Sequence, residues 1–411
     1  MRVLKSVLLF GVISLSWPVF AGQVEFLHWW TSKGEMNAVS EIDSSLREKG
    51  LLLLNAPIPG GGGDSARAIL QARTISGNPP HMALLQGPTI SSWAALGLLM
   101  PLTVQDELPG LPSFIDEIHR FQEARVALPV TLHRLNWVWV NSRVLGDGGI
   151  MVPDSWDGIA SALEALSEKG QPGLAIGNDP WQSAQLFENI AFGLGGAEYY
   201  RRLFIDLDIQ ALLSDTTRNA LSLYRRIGQT VGQPESKAWD EASAGLRAGQ
   251  YAMQFGGDWV AGELLDESGK LPEDIECLAA PAIQPGFIYN IDSLALMRTR
   301  SISVQDAQQL VETLSTSRFL QDFNRVKGSI PVYSDIPLTG FNRCAIQSRR
   351  DFDAAVDFGT AVPSFSDSMA INPIIRNAML NELHQYFTDP LVTDEQVLNN
   401  LVKISQSSKV F

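Results

Sequence analysis

The chemistry available to this chain is concentrated in Leu27-His28-Trp29-Trp30-Thr31-Ser32-Lys33-Gly34-Glu35, where two adjacent indoles and a small polar turn precede a carboxylate. Side chains alternate along a strand, so Trp29 and Trp30 cannot both enter one core face, and at least one is expected to leave the sheet. An indole offers a flat apolar face with a polar edge, which suits the C–H face of a pyranose ring. Glu35 can accept a pair of hydroxyls through its two oxygens. Two core tryptophans and a solvated glutamate would look the same in this stretch, so both readings stay open.

The same logic recurs further along. Gly256-Gly257-Asp258-Trp259 again follows a strand-like run with a glycine turn, an acid and an indole. Asn290 and Asp292 fall on one side of an alternating, otherwise apolar run, and Lys327 precedes the loop-to-strand crossing Gly328-Ser329-Ile330-Pro331. The glycine run Gly60-Gly61-Gly62-Gly63-Asp64 is not a phosphate cradle, because no lysine with an adjoining Ser or Thr follows. Glycines there let the backbone, with Gly63 and Asp64, approach an uncharged ligand; a flexible strand-to-helix loop is the alternative. Gln86 follows a strand end, His133 sits in a long extended run, and Trp181 and Gln182 supply candidates from the second half.

These residues need a frame, and hydrophobic spacing describes one. Helical periodicity over 36–49 follows the opening loop, an apolar strand covers 51–54, a helix 65–75, a strand 82–85 and a helix 90–96. Strand–loop–helix alternation of this kind predicts an α/β domain with a mainly parallel sheet, whose ligands sit at the carboxyl ends of the strands. Residues 126–140 are extended over too long a run for one strand and carry Pro129, as a chain passing from one lobe to another would. Beyond them the pattern is more helical, with expected helices at 156–167, 183–192, 197–204, 216–231 and 238–248, a strand at 251–255, and helices again from 371 to 404.

Composition narrows the partners. The chain has 411 residues, 45% of them hydrophobic, enough for two packed lobes. Arg2 and Lys5 precede an apolar run ending at Val19-Phe20-Ala21, which reads as a cleaved export signal over residues 1–21. No cysteine follows that run, so no lipid anchor is expected, and no later segment has the roughly twenty apolar residues that cross a bilayer. Removing Arg2 and Lys5 takes the formal charge from −14 to −16, against a nucleic-acid partner. The two cysteines, Cys277 and Cys344, form a disulfide or remain buried thiols, and without a local histidine they make a poor metal site; no metal or cofactor is expected.

Taken together, the segments resemble the extracellular solute-binding proteins of carbohydrate ABC transporters, particularly the periplasmic glucose and mannose binders. The resemblance rests on the Trp29–Glu35 and Gly60–Asp64 stretches, Ser76-Gly77-Asn78-Pro79-Pro80, residues 130–139, Pro180-Trp181-Gln182, residues 253–259, Asn290-Ile291-Asp292-Ser293 and Lys327-Gly328-Ser329-Ile330-Pro331. It implies a two-lobed α/β clamp with three interlobe crossings near 130–133, 290–292 and 330–333. Lobe I would comprise 22–130 and 290–330, and lobe II 131–289 and 331–411. It also implies a carbohydrate ligand, ABC permease subunits as partners, a monomer in the periplasm and a Cys277–Cys344 disulfide. One of Trp29 or Trp30 would sandwich the sugar with Trp259, while Glu35, His133, Asn290, Asp292 and Lys327 fall on hydroxyl-binding positions.

Two departures bear on the ligand. Gln86 stands where many close glucose binders have a lysine before Gly-Pro, and Asp367 stands where they have a histidine. Asp367 either accepts another hydroxyl or, with Glu35 and Asp292, makes the cleft acidic enough to favour an amino sugar or a glycoside with a cationic part. A glycoside hydrolase would need two carboxylates across the scissile bond, for which only Glu35 and Asp292 offer themselves, and no Gly-x-Ser-x-Gly or His-Glu-x-x-His motif is present. Binding without turnover is the expectation, for import of a glucose-like hexose or a small oligosaccharide, or for presentation of the closed clamp to a membrane sensor kinase.

Overall fold

The structure is a computed structural model describing residues 22–60, 63–104, 109–231, 238–266, 268–299 and 301–408. The expected export signal and Gly61 and Gly62 lie outside the described residues. Two hydrophobic cores divide the chain. The first surrounds a five-stranded sheet in the order Leu51–Pro57, Gly22–His28, Met82–Leu85, Ser293–Leu296, Leu128–Pro129. Its first three strands are parallel, and Ser293–Leu296 runs antiparallel to both of its neighbours. Met82–Leu85 is buried throughout, which explains why it reads as a continuous apolar run rather than an alternating one.

The helix Lys33–Arg47 leaves the first strand through a capping box. The Ser32 side chain accepts from the Glu35 N–H, while Glu35 Oε2 accepts from the N–H groups of Thr31 and Ser32 at 3.0 and 3.2 Å. This helix buries Ala38, Val39, Ile42 and Leu46, close to the expected spacing, but starts three residues earlier because the cap lies at Ser32.

The second core is mainly helical and packs against a three-stranded antiparallel sheet, Ile275–Ala279, Trp137–Asn141 and Met253–Phe255. The helices expected at 183–192 and 197–204 are one element, Pro180–Phe204, broken at Gly196 by a φ of 71°. The strand Ile275–Ala279 carries Cys277, which is disulfide-bonded to Cys344 on the helix Arg343–Asp357 with 6.1 Å between Cα atoms.

Between the cores runs a small seam sheet of Ala361–Pro363, Phe287–Asn290 and His133–Arg134. Along its middle strand Ile288 enters the second core, whereas Phe287 and Tyr289 enter the first, as does Ile291 just beyond the strand's end. Alternation in a strand buried on both faces therefore divides one run of sequence between two cores. The three expected crossing segments lie side by side here: Val130 N–H donates to Asp292 O at 2.9 Å, and Leu132 and Ile330 exchange backbone hydrogen bonds at 2.8 and 3.1 Å.

Packing departs from the expected lobe boundary after residue 331. Val332, Tyr333, Ile336, Phe341, Ala345, Phe352 and Ala355 belong to the first core, and apart from Cys344 the C-terminal chain joins the second only from Val362 onward, with Met369 returning to the first. The helix Arg343–Asp357 sits where the cores meet, with Cys344 in one and Ala345 in the other. Apolar periodicity marks a helix but not which core it covers.

Candidate functional site

A cavity of about 200 Å3 opens between the two cores. Eleven of the fifteen expected site residues line it: Trp29, Trp30, Glu35, Gln86, His133, Trp181, Trp259, Asn290, Asp292, Lys327 and Asp367. All but Asp367, which a loop carries, reach the cavity from at or beside the end of a strand or helix. Trp29 and Trp30 follow the strand Gly22–His28, Gln86 follows Met82–Leu85, and Lys327 ends the helix Ser317–Lys327. Gly328, with φ 89°, caps that helix, and a Cβ there would lie 2.7 Å from Asp258 O, so only glycine fits the close approach.

Asp292 is the hub. It accepts from Gln86 Nε2 at 2.7 Å and Trp30 Nε1 at 3.3 Å, and His133 Nε2 lies 3.3 Å away. On the other side of the ring, His133 Nδ1 is 2.5 Å from Asp258 Oδ1. Burial opposes charge on this imidazole, but the two flanking carboxylates outweigh it and raise its pKa to about 9. His133 is thus an imidazolium at neutral pH. For Asp292, burial pushes the carboxyl up, yet His133, Lys327 and Gln86 together hold it below the usual carboxylate range. The neighbouring Lys327 Nζ pairs with Glu35 Oε1 at 3.2 Å and lies 5.4 Å from the Trp30 ring centre.

Asp367 is carried by the loop after the strand Ala361–Pro363. Buried Glu188 fixes this loop by accepting from the Ser364 and Ser366 hydroxyls and from the backbone N–H groups of Phe365 and Ser366. Arg376 donates to Ser366 O from the other side, through Nε at 3.0 Å. The side-chain partner of Asp367 is the Asn290 amide nitrogen. Burial, reinforced by the charge of Asp292, lifts the Asp367 carboxyl to about 6.

The second core supplies the aromatic wall. Trp259 makes edge-on contacts with Trp181, Trp239 and His133, with ring centres 6.1, 6.5 and 5.4 Å apart. Trp29 faces it from the first core and rests on Gly63, where a Cβ would approach the indole to 2.8 Å. Trp30 is more deeply buried and is held by Phe26, Phe323 and its bond to Asp292.

Four expected residues do not line the cavity. Asp258 stands behind His133, also accepting from Arg134 N–H at 3.0 Å. Gly63 supports Trp29 from behind. Asp64 pairs with Arg67 and Arg376 on another face, and Gln182 turns its oxygen to Gly177 N–H at 2.7 Å. Conversely, Pro59, Asp179, Ala238, Trp239 and Asp240 line it without having been singled out, and Thr31 and Gly60, from two of the candidate loops, line it as well. Trp239-Asp240 opens the helix Trp239–Arg247, and an adjacent indole and acid, the pairing seen in Asp258-Trp259, was the available signal.

Comparison with known proteins decides the family. A model of bacterial extracellular solute-binding proteins matches residues 58–342. The chain belongs to that family. The curated relatives of this solute-binding protein include a "Probable sugar-binding periplasmic protein" of Brucella suis, 32% identical over 94% of this chain and 92% of the relative. Among solved structures, the bacterial solute receptor AcbH, described as preferring β-D-galactopyranose, superposes with a TM-score of 0.78 at 16% identity, covering 95% of this chain and 99% of the receptor. A chitin oligosaccharide binding protein superposes with a TM-score of 0.75 at 16% identity, covering 94% and 99%. At that identity these two share the fold of a two-lobed clamp.

Proposed function

We propose that this protein is the periplasmic sugar-binding component of an ABC importer, taking a mono- or small oligosaccharide between its two halves and delivering it to permease subunits. A glucose-like hexose is the favoured ligand. The observation that carries this reading is a small cavity with indoles from both cores and polar groups clustered between them. Its volume of about 200 Å3 falls below the roughly 300–1,000 Å3 of pockets for drug-sized ligands, which favours a single ring over a chain of them.

Trp29 and Trp259 would cover the two apolar faces of that ring, while Glu35, Lys327, His133 and Asn290 would take hydroxyls around its rim. The ligands named for the similar proteins range from a galactopyranose to chitin oligosaccharides, so the hexose preference here rests on cavity size and lining. Halves of such a clamp close by hinge motion at the crossings. The closed contact would include Gly34 N–H donating to Glu263 Oε1 at 2.7 Å.

The test is calorimetric titration of the mature protein, unfolded and refolded to strip any carried ligand, with D-glucose and its epimers. Saturable heat with a hexose supports the reading. A folded protein that gives no heat with any mono- or oligosaccharide would refute it.

A further inference from the structure

One end of the cavity carries hydrogen-bond acceptors that find no donor among the described residues. Gln86 Oε1 and Asn290 Oδ1 are both buried and both unpartnered. Their identity as oxygens is fixed by chemistry. The Gln86 amide nitrogen donates to the Asp292 carboxylate and the Asn290 amide nitrogen to the Asp367 carboxylate, and flipping either amide would set oxygen against oxygen. The segments are adjoining: a Cβ at Gly87 would lie 2.5 Å from Ser368 O, so Gln86 and Asp367 flank one backbone contact.

Asp367 adds a carboxylate to the same end. Where Asp292 has His133 and Glu35 has Lys327, Asp367 has an amide and no ion pair among the described residues. Arg376, His133 and Arg67 reach it only through space, and the nearby charge of Asp292 repels it. Burying a charge without a counter-ion is costly, and its raised pKa reflects that cost. A ligand group that fits here donates several hydrogens and brings positive charge.

We propose that this solute-binding protein takes an amino sugar, the protonated amine lying among Gln86 Oε1, Asn290 Oδ1 and the Asp367 carboxylate. An ammonium offers three donors and a charge; a hydroxyl offers one donor and leaves acceptors unmet, and an unmet buried polar group discriminates strongly. Lys327 pairs with Glu35, and His133 with Asp258 and Asp292, so neither forms an ion pair with Asp367, and the charge of His133 offsets that of Asp367 only through space. This inference rests on the sugar-binding reading and specifies its ligand class.

The experiment titrates matched pairs at pH 7: D-glucose with D-glucosamine, D-galactose with D-galactosamine, and D-mannose with D-mannosamine, with N-acetyl-D-glucosamine as an uncharged control. The expected result is at least tenfold tighter binding of the amine in the pair that binds, with weak or no binding of the N-acetyl form. In Asp367→Asn the ratio of amine to hydroxyl affinity should fall at least tenfold. Equal or tighter binding of the neutral hexose, or a ratio unmoved by Asp367→Asn, overturns the amino-sugar inference and leaves sugar binding intact. If no member of any pair binds while the thermal transition shows a folded protein, but other saccharides do, the inference also fails. If no saccharide binds at all, the underlying reading fails with it.

Discussion

The seam side of the cavity and the second-core side are built from opposite materials. On the seam, His133, Asp258 and Asp292 interlock, and Glu35 locks to Lys327, so that each of these charges already has its partner. On the facing side, Trp181 and Trp239 each touch Trp259 edge to face, and the three present ring surface. The charged side is costly to disturb and largely self-satisfied. The aromatic side contributes area that gains value only when something covers it. Stability and affinity should therefore respond to different substitutions.

The largest effect is expected on the charged side. Asp292→Ala strands an imidazolium, an amide and an indole N–H at once, and removal of one partner from a buried pair costs about 3–5 kcal/mol. Urea unfolding should show that loss, with Asp292→Asn falling less far; equal stability to the parent would dissolve the proposed hub. Next comes the tie between halves. The disulfide joins the strand Ile275–Ala279 to the helix Arg343–Asp357, which borders both cores, and its removal in Cys277→Ser with Cys344→Ser should cost about 2–4 kcal/mol, read as a lower unfolding midpoint. On the aromatic side, Trp259→Ala should weaken sugar binding about a hundredfold, or about 2.7 kcal/mol, with Trp259→Phe retaining part of it. Unchanged affinity in the alanine variant would remove Trp259 from the ligand.

Much of this was readable before any coordinates. Strand ends announce themselves through apolar runs stopped by glycine or polar residues, so Trp29, Trp30, Gln86, Asn290 and Asp292 could be singled out. What sequence could not supply was direction. Asp258 and Trp259 are neighbours, yet one lies behind His133 and the other faces the cavity. Ser32 and Glu35 also form a legible capping box that fixes Glu35 for Lys327, a structural role beneath the expected binding one. Glu188 gave no signal, because a carboxylate buried in a helix is recognised only by the Ser364–Ser366 loop that folds onto it. The core boundary after residue 331 was hidden for the same reason, since periodicity is blind to the partner.

The smallest expected effect, a drift of stability with pH, separates the two ends of the charged side. His133 titrates near 9 in the fold and near its ordinary 6.5 when unfolded. Folding thus favours its protonated form, and its contribution is fully present below pH 6.5 and lost as pH rises through about 9. Asp258, Asp292 and Lys327 are the charged groups facing it, and the two carboxylates set the sign. Asp367, raised from the usual carboxylate range to about 6, follows the same rule in a lower window: its contribution is present below pH 4 and lost as pH rises through about 6. Urea midpoints at pH 7 and pH 9.5 should differ in the parent, and the difference should shrink in His133→Gln. Midpoints unchanged over that interval would mean that the imidazole is neutral between its carboxylates, and the contrast between a self-paired and an unpaired end of the cavity would lose its basis.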